Sequence, residues 1–246
     1  MSISLDRPLN VITLCSGYDS QCMALDRLKE SHPGFDYNLV AWCEIDKYAI
    51  KSHNAVYPQW VDRNLGDMTK VDWSQINERI DLLTYSTPCT DISSAGQQKG
   101  LEEDSGTRSS VLWYTRNAIL QLKPKYLLME NVKALTQQKF MPYFQKWIDE
   151  LESYGYYCRW QVMNAKDYEI PQNRERVFMV SIRKDENDPN PYYEFPEKVK
   201  LNKCLADVLE KDMGDEWYLS DERINALMEN TDKEKLAGRG FKLVSK

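Results

Sequence analysis

Apolar and polar positions follow two rhythms along residues 11 to 182. Short, nearly continuous apolar runs recur at Val11-Ile12-Thr13-Leu14, Asn38-Leu39-Val40-Ala41-Trp42-Cys43, Asp81-Leu82-Leu83-Thr84-Tyr85-Ser86 and Tyr126-Leu127-Leu128-Met129. Runs of this length, bounded by turn residues, predict strands buried on both faces. Between them, apolar residues fall three or four apart. Gln21 to Lys29 carries Met23, Leu25 and Leu28, and a second helix runs from Lys47 to Val56, ended by Pro58. Gly66-Asp67 precedes a polar helical segment from Trp73 to Arg79, and Ser109 to Leu122 reads as a helix stopped by Pro124. Pro142 to Ser153 sets Phe144, Trp147, Ile148 and Leu151 on one side of a further helix. Tyr156 to Met163 and Arg176 to Ile182 read as two more strands, with Pro171-Gln172-Asn173-Arg174-Glu175 between them. The alternation predicts an α/β fold built on a doubly wound, mostly parallel sheet.

After Arg183 the texture changes. Asp185-Glu186-Asn187-Asp188-Pro189-Asn190-Pro191 reads as a polar linker, and residues 192 to 246 are rich in charge with short periodic pieces such as Leu205-Ala206-Asp207-Val208-Leu209. The expected division is a catalytic, cofactor-binding domain over 1–184, then a linker and the beginning of a second region over 185–246. The last residues, Gly238 to Lys246, start a strand-like pattern, and the chain reads as cut off in mid-element.

With 246 residues and 42% hydrophobic positions, the chain is long enough for one large domain with a substantial core. The formal net charge of -6 argues against a protein that coats nucleic acid over its whole surface, while leaving room for a local basic cleft. No apolar run reaches membrane-spanning length, and the start lacks the basic and apolar regions of a signal peptide, so a cytoplasmic protein is expected. Six cysteines include no CxxC pair, which argues against a zinc ribbon; no metal is expected. Only two histidines are present, so the chemistry must manage largely without imidazole.

Candidate chemistry gathers at predicted strand ends, where open parallel sheets bind ligands. Gly17 follows the first strand; alone it reads as an ordinary strand-to-helix turn. Glu44 closes the second strand, and its carboxylate suits a ribose diol, while Asp67 suits an adenine amino group; solvated surface acids are an equal reading of both. Pro88-Cys89 closes the third strand, and the polar residues that follow suggest an exposed thiol. Glu130 closes the fourth, where burial would raise its pKa and let it hold a proton. Arg174 and Arg176, two apart at a strand start, face one side of an extended chain, as a surface ion-pair ladder or as a grip on phosphate or a polarised oxygen.

Taken in order, Pro88-Cys89, Glu130-Asn131-Val132 and Gln172-x-Arg174-x-Arg176 resemble the DNA (cytosine-5) methyltransferase family of bacterial and phage type. Leu14-Cys15-Ser16-Gly17 looks like its first cofactor motif, Glu44-Ile45-Asp46-Lys47 its second and Gly66-Asp67 its third. Arg108-Ser109-Ser110-Val111-Leu112 resembles the segment where a loop enters the next helix. The likeness covers residues 10 to 183. It implies a Rossmann-like sheet with an antiparallel strand near its C-terminal end. It also implies S-adenosylmethionine as cofactor, leaving as S-adenosylhomocysteine and held by Leu14, Ser16, Gly17, Glu44, Ile45, Asp67 and Pro88. The implied reaction takes place on a cytosine flipped out of double-stranded DNA. Cys89 attacks ring carbon 6, Glu130 holds the ring nitrogen, Arg176 and Arg174 steady an oxygen, and carbon 5 takes the methyl group.

The chain departs from the pattern in three places. Asp19-Ser20 stands for paired glycines, Thr90 stands for glutamine, and two late motifs are missing. The resemblance therefore implies an enzyme whose chain stops before or within its target recognition domain, which leaves the activity of this stretch alone open, with a restriction endonuclease or a separate target-recognition chain as further partners. RNA cytosine methylation and an inactive cofactor- or DNA-binding module are the alternatives.

Overall fold

A computed structural model describes residues 6–88, 110–210, 214 and 218–236. By packing the chain divides into two compact units, Met1–Asn202 and Lys203–Lys246.

The first unit is an α/β sandwich. Its elements in chain order are β1 (Leu9–Leu14), α1 (Ser20–Ser31), β2 (Tyr37–Cys43), α2 (Lys47–Val56), β3 (Leu82–Tyr85), α3 (Val111–Leu122), β4 (Tyr126–Val132), α4 (Met141–Ser153), β5 (Tyr156–Asn164) and β6 (Glu175–Arg183). They form one six-stranded sheet in the order β2-β1-β3-β4-β6-β5. The first four are parallel, and β6 runs antiparallel to both β4 and β5. The predicted mostly parallel sheet is present, with its single reversed strand near the C-terminal end. Because β1 has β2 on one side and β3 on the other, the winding changes direction there, and a crevice opens beyond the carboxyl ends of β1 and β3.

Burial explains the apolar runs. In β1, Val11, Ile12, Thr13 and Leu14 are all buried, because both faces of the strand are covered. Ile12, Leu14, Leu83, Tyr85, Leu127, Met129, Val177 and Met179 join Leu112, Trp113 and Ile119 of α3 and Phe144, Trp147, Ile148 and Leu151 of α4 in one core. Val11, Leu39 and Trp42 belong to a second core with Cys22 of α1, Phe35, Tyr37 and Tyr57. The four apolar residues expected on one side of α4 are its buried residues. Trp147 is the keystone of the first core. Its ring is edge-on to Trp113 and Tyr85, and its Nε1 donates to the Tyr85 hydroxyl at 3.1 Å.

Some boundaries differ from expectation, each for a local reason. The segment Trp73 to Arg79 is not a helix; only Trp73–Gln75 forms a single 3-10 turn. The Asp72 side chain caps this turn, accepting from the Ser74 amide and hydroxyl. Beyond it the segment is short and polar, with Ile76 its one further apolar residue, too little to hold a longer helix. β4 runs on to Val132, so Glu130 lies within the strand rather than after it. The polar stretch from Asp185 is tied down: Lys125 Nζ lies 2.8 Å from Asp185 Oδ2 and 3.4 Å from Asp188 Oδ2. Further on, Val199 donates its amide to Asp167 O at 2.8 Å. The second unit holds a 3-10 turn at Leu205–Asp207 and a helix α5, Asp221–Leu236, longer than the short periodic pieces predicted. Its apolar side chains are too widely scattered among charges to show a helical stripe. The strand-like pattern at Gly238 to Lys246 lies outside the described residues. No helix among the described residues is long and apolar enough to cross a membrane.

Truncating the keystone tests this packing. Trp147→Ala is expected to cost about 3–5 kcal/mol and to lower the Tm by roughly 10 °C in a thermal melt. A change below about 1 kcal/mol would show that the two faces of that core are not held by this ring.

Candidate active site

The site is assembled at one edge of the sheet. In a parallel sheet every strand presents its carboxyl end to the same edge. β6 runs the other way, so its amino end arrives there instead. Val132 at the end of β4 pairs with Arg176 at the start of β6, and Glu130 pairs with Phe178. Residues two apart on a strand share a face, so Glu130, Phe178 and Arg176 lie on one side of the sheet. The result is an ion pair, with Arg176 Nε 3.0 Å from Glu130 Oε1.

A cavity of about 750 Å³ opens on that face. Leu82, Thr84 and Leu128 from β3 and β4 line it together with Phe178. Glu130, Arg174, Arg176 and Ser86 supply its polar groups, and Ser16, Tyr18 and Gln21 approach from the turn after β1 and from α1. Gln21 Nε2 donates to Ser86 Oγ at 2.7 Å, which ties α1 to the end of β3. Arg174 is exposed and Arg176 half-buried, and both line the cavity.

Glu130 sits over this largely apolar floor. Burial raises its pKa, and the opposing attractions of Arg176 and then Arg174 do not fully cancel the rise. The carboxyl is thus held closer to neutrality than an exposed glutamate, within reach of two permanent cations. Asn131 points to the opposite face and has a different task. It is buried, and its Nδ2 donates to Thr87 O at 3.2 Å and Thr87 Oγ1 at 3.3 Å. This bond pins the end of β3, where Pro88 stands, to the end of β4. Cys89, which follows Pro88, lies outside the described residues, as do Thr90 and Arg108.

A second group lies at the ends of β1 and β2. Leu14 is buried in the core beneath the turn, and the Ser16 amide donates to Cys43 O at 3.1 Å. Gly17 adopts φ +60, and a Cβ there would meet nothing within 4 Å, so glycine answers to backbone conformation and not to crowding. Glu44 is oriented by three amides: Gly17 N at 2.9 Å to Oε2, and Ile45 N at 2.8 Å and Asp46 N at 2.9 Å to Oε1. One acceptor position remains on Oε2. Ile45 is 71% exposed and Tyr18 is 52% exposed, so apolar surface flanks the oriented carboxylate. Asp67 accepts from the Thr69 amide and hydroxyl and lies 3.2 Å from Lys70, and the Thr69 bonds hold its pKa below the ordinary range. An oriented carboxylate beside exposed apolar side chains fits a nucleoside, which presents a diol and a flat ring.

The cavity brings Ser16, Glu130, Arg174 and Arg176 together; Leu14, Gly17, Glu44, Ile45, Asp67 and Pro88 are not among its lining residues. Sequence reasoning passed over Phe178 and read Asp19 only as a missing glycine. Strand alternation from Arg176 would have found the first. The second carried a signal too, because Asp is among the few residues that tolerate the left-handed region. Asp19 sits at φ 67, ψ 57, the conformation a glycine would take there, and its side chain caps α1 by accepting from the Cys22 amide.

Known proteins share this sequence pattern and fold. The model of the family described as C-5 cytosine-specific DNA methylase matches residues 9–246, and the chain belongs to that family. The type II methyltransferase M2.ScrFI of Lactococcus lactis subsp. cremoris is 44% identical over 165 residues, 67% of this chain and 44% of that protein. The orphan methyltransferase M.SssI of Spiroplasma monobiae is 38% identical over 172 residues, 68% of this chain and 43% of that protein. The solved structure of the Entamoeba histolytica methyltransferase EhMeth superposes with a TM-score of 0.69 at 18% identity, over 89% of this chain and 65% of its own, a likeness of fold. The chain spans about half the length of the curated relatives it matches.

The raised Glu130 gives a pH signature. The folded protein binds this proton more tightly than the unfolded chain does. Its stabilising contribution is therefore complete below the ordinary carboxyl range and is lost as pH rises through the folded value. Glu130→Gln, neutral at every pH, escapes that loss. Thermal melts should show the variant more stable than the parent at about pH 7.5, with the gap closing toward about pH 4. A variant less stable than the parent at about pH 7.5, with that deficit shrinking toward about pH 4, would show that the arginines outweigh burial.

Proposed function

We propose that this chain is the catalytic core of a DNA (cytosine-5) methyltransferase, transferring a methyl group from S-adenosylmethionine to carbon 5 of a cytosine in double-stranded DNA. The observation that carries the reading is the Glu130–Arg176 pair inside a cavity that reaches the turn after β1. Family membership and the fold point the same way.

In this reading the base, flipped from the duplex, enters the cavity with its Watson–Crick edge toward Glu130. A glutamate whose pKa burial raises shares a proton with the ring nitrogen and offsets the negative charge that develops when carbon 6 is attacked. Arg176 orients Glu130, and with Arg174 it steadies the base oxygen or a phosphate. Cys89 is the nucleophile: its thiolate adds to carbon 6, carbon 5 becomes nucleophilic and is methylated, and loss of the carbon 5 proton expels the sulfur. Asn131, by pinning Thr87, fixes the strand end from which Pro88-Cys89 departs.

S-adenosylmethionine supplies an electrophilic methyl group when bound. Leu14, Ser16 and Gly17 form its turn, Glu44 takes the ribose hydroxyls, Ile45 offers apolar surface to the adenine, Asp67 accepts from its amino group, and Pro88 completes the wall. Residues 1–184 then make up the catalytic and cofactor-binding part, and 185–246 a linker with the beginning of target recognition. The cytoplasm is the compartment in which such an enzyme works. A cognate restriction endonuclease, or a separate chain that recognises the target, belongs to the same reading.

The test is covalent trapping. With S-adenosylmethionine and a duplex carrying 5-fluorocytosine, the protein should form an adduct that survives denaturing electrophoresis, because fluorine blocks the final elimination. Cys89→Ser should abolish it. An adduct that persists in that variant removes Cys89 as nucleophile, and none with the parent protein removes the activity.

A further inference from the structure

Beneath the turn after β1 lies a group of buried polar side chains that the proposed chemistry does not use. Asp19 and His53 are both fully buried. Asp19 Oδ1 accepts from the Cys22 amide at 3.3 Å, and Oδ2 accepts from the Thr13 hydroxyl at 2.8 Å. His53, on α2, lies with Nε2 3.6 Å from Oδ2, and neither of its ring nitrogens has a hydrogen-bond partner. Its ring stacks on Trp42 of β2 at 3.6 Å between centroids, and Trp42 pairs with Thr13 across the sheet.

A carboxyl group removed from water needs polar partners, and His53 Nε2, 3.6 Å from Oδ2, is the ring nitrogen that faces Asp19. The nearby carboxylate of Asp26 is engaged elsewhere, accepting from the hydroxyls of Tyr37 and Tyr57. The pair joins two elements that matter. Asp19 ends the turn that holds Gly17, and α2 begins directly after Glu44-Ile45-Asp46. On the surface side the same two elements meet through the bond from the Gly17 amide to Glu44.

We propose that Asp19 and His53 form a buried positioning pair that fixes the turn at Gly17 against α2, and so sets the affinity for S-adenosylmethionine without touching it. The inference rests on the cofactor reading above. It separates two tasks of Asp19: adopting the left-handed conformation, which glycine performs as well, and clamping α2, which glycine cannot perform.

The experiment measures the dissociation constant of S-adenosylhomocysteine by titration calorimetry on the full chain, with circular dichroism to check folding. Asp19→Gly keeps the backbone conformation and should weaken binding by about tenfold. Asp19→Asn keeps the cap through Oδ1, while its Nδ2 donates to Thr13 Oγ1 in place of the accepted bond, and it should fall between Asp19→Gly and the parent. His53→Phe keeps the stack on Trp42 and should weaken binding much as Asp19→Gly does, and the double variant should be no worse than the worse single one. Parental affinity in a folded Asp19→Gly overturns the clamp, as do losses that add in the double variant. Should His53→Phe fail to fold, the comparison of Asp19→Gly with Asp19→Asn decides: parental affinity in Asp19→Asn beside a loss in Asp19→Gly assigns the effect to the cap and counts against the pair. A parent chain that fails to bind S-adenosylhomocysteine at all overturns the cofactor reading instead.

Discussion

The site depends on the direction of one strand. Were β6 parallel to β4, its amino end would lie at the far edge of the sheet, and Arg174 and Arg176 with it. Antiparallel pairing brings Val132 and Arg176 into register and so sets a cation beside Glu130. A one-residue slip would turn Arg176 to the opposite face, toward the aromatic core around Trp147. That core resists the slip, because Val177 and Met179 are fully buried in it. The packing of an apolar face thus decides where a charged group on the other face points.

The same arrangement explains an apparent contradiction at Glu130. Two arginines would ordinarily hold a carboxyl well below its usual range. Here the apolar floor of Leu82, Leu128 and Phe178 outweighs them. A carboxyl raised in this way keeps its proton to higher pH than an exposed glutamate, which suits the proton sharing proposed for it. Asn131, next in the chain, is spent on rigidity and not on chemistry: it holds the end of β3 against β4. One short strand end thereby serves both a reactive group and its frame.

The sheet was legible because its strands are buried on both faces, and continuous apolar runs such as Val11 to Leu14 and Leu127 to Met129 are the direct imprint of that burial. The face of α4 was legible for the same reason. Trp73 to Arg79 misled because its helical rhythm is weak: Asp72 caps a start, but Trp73 and Ile76 are the segment's apolar residues, too little to carry a helix past one turn. At the site, Glu130 and the arginines could be named from strand ends and spacing. Their contact could not, because it depends on which way β6 runs. Asp19 was read as a loss of glycine, whereas the backbone keeps the left-handed conformation and the side chain adds a cap. His53 gave no sign, since a lone histidine on a helix carries no periodicity.

The turn after β1 contains three left-handed residues at alternate positions, Cys15 at φ 51, Gly17 at φ 60 and Asp19 at φ 67. Asp19 and Gly17 tolerate this region and Cys15 resists it, so strain collects at one residue and is met once, during folding, by the bonds around the turn. In the proposed function, capture of a small molecule at this turn requires no ordering of these residues, and selectivity should show in how long the molecule stays.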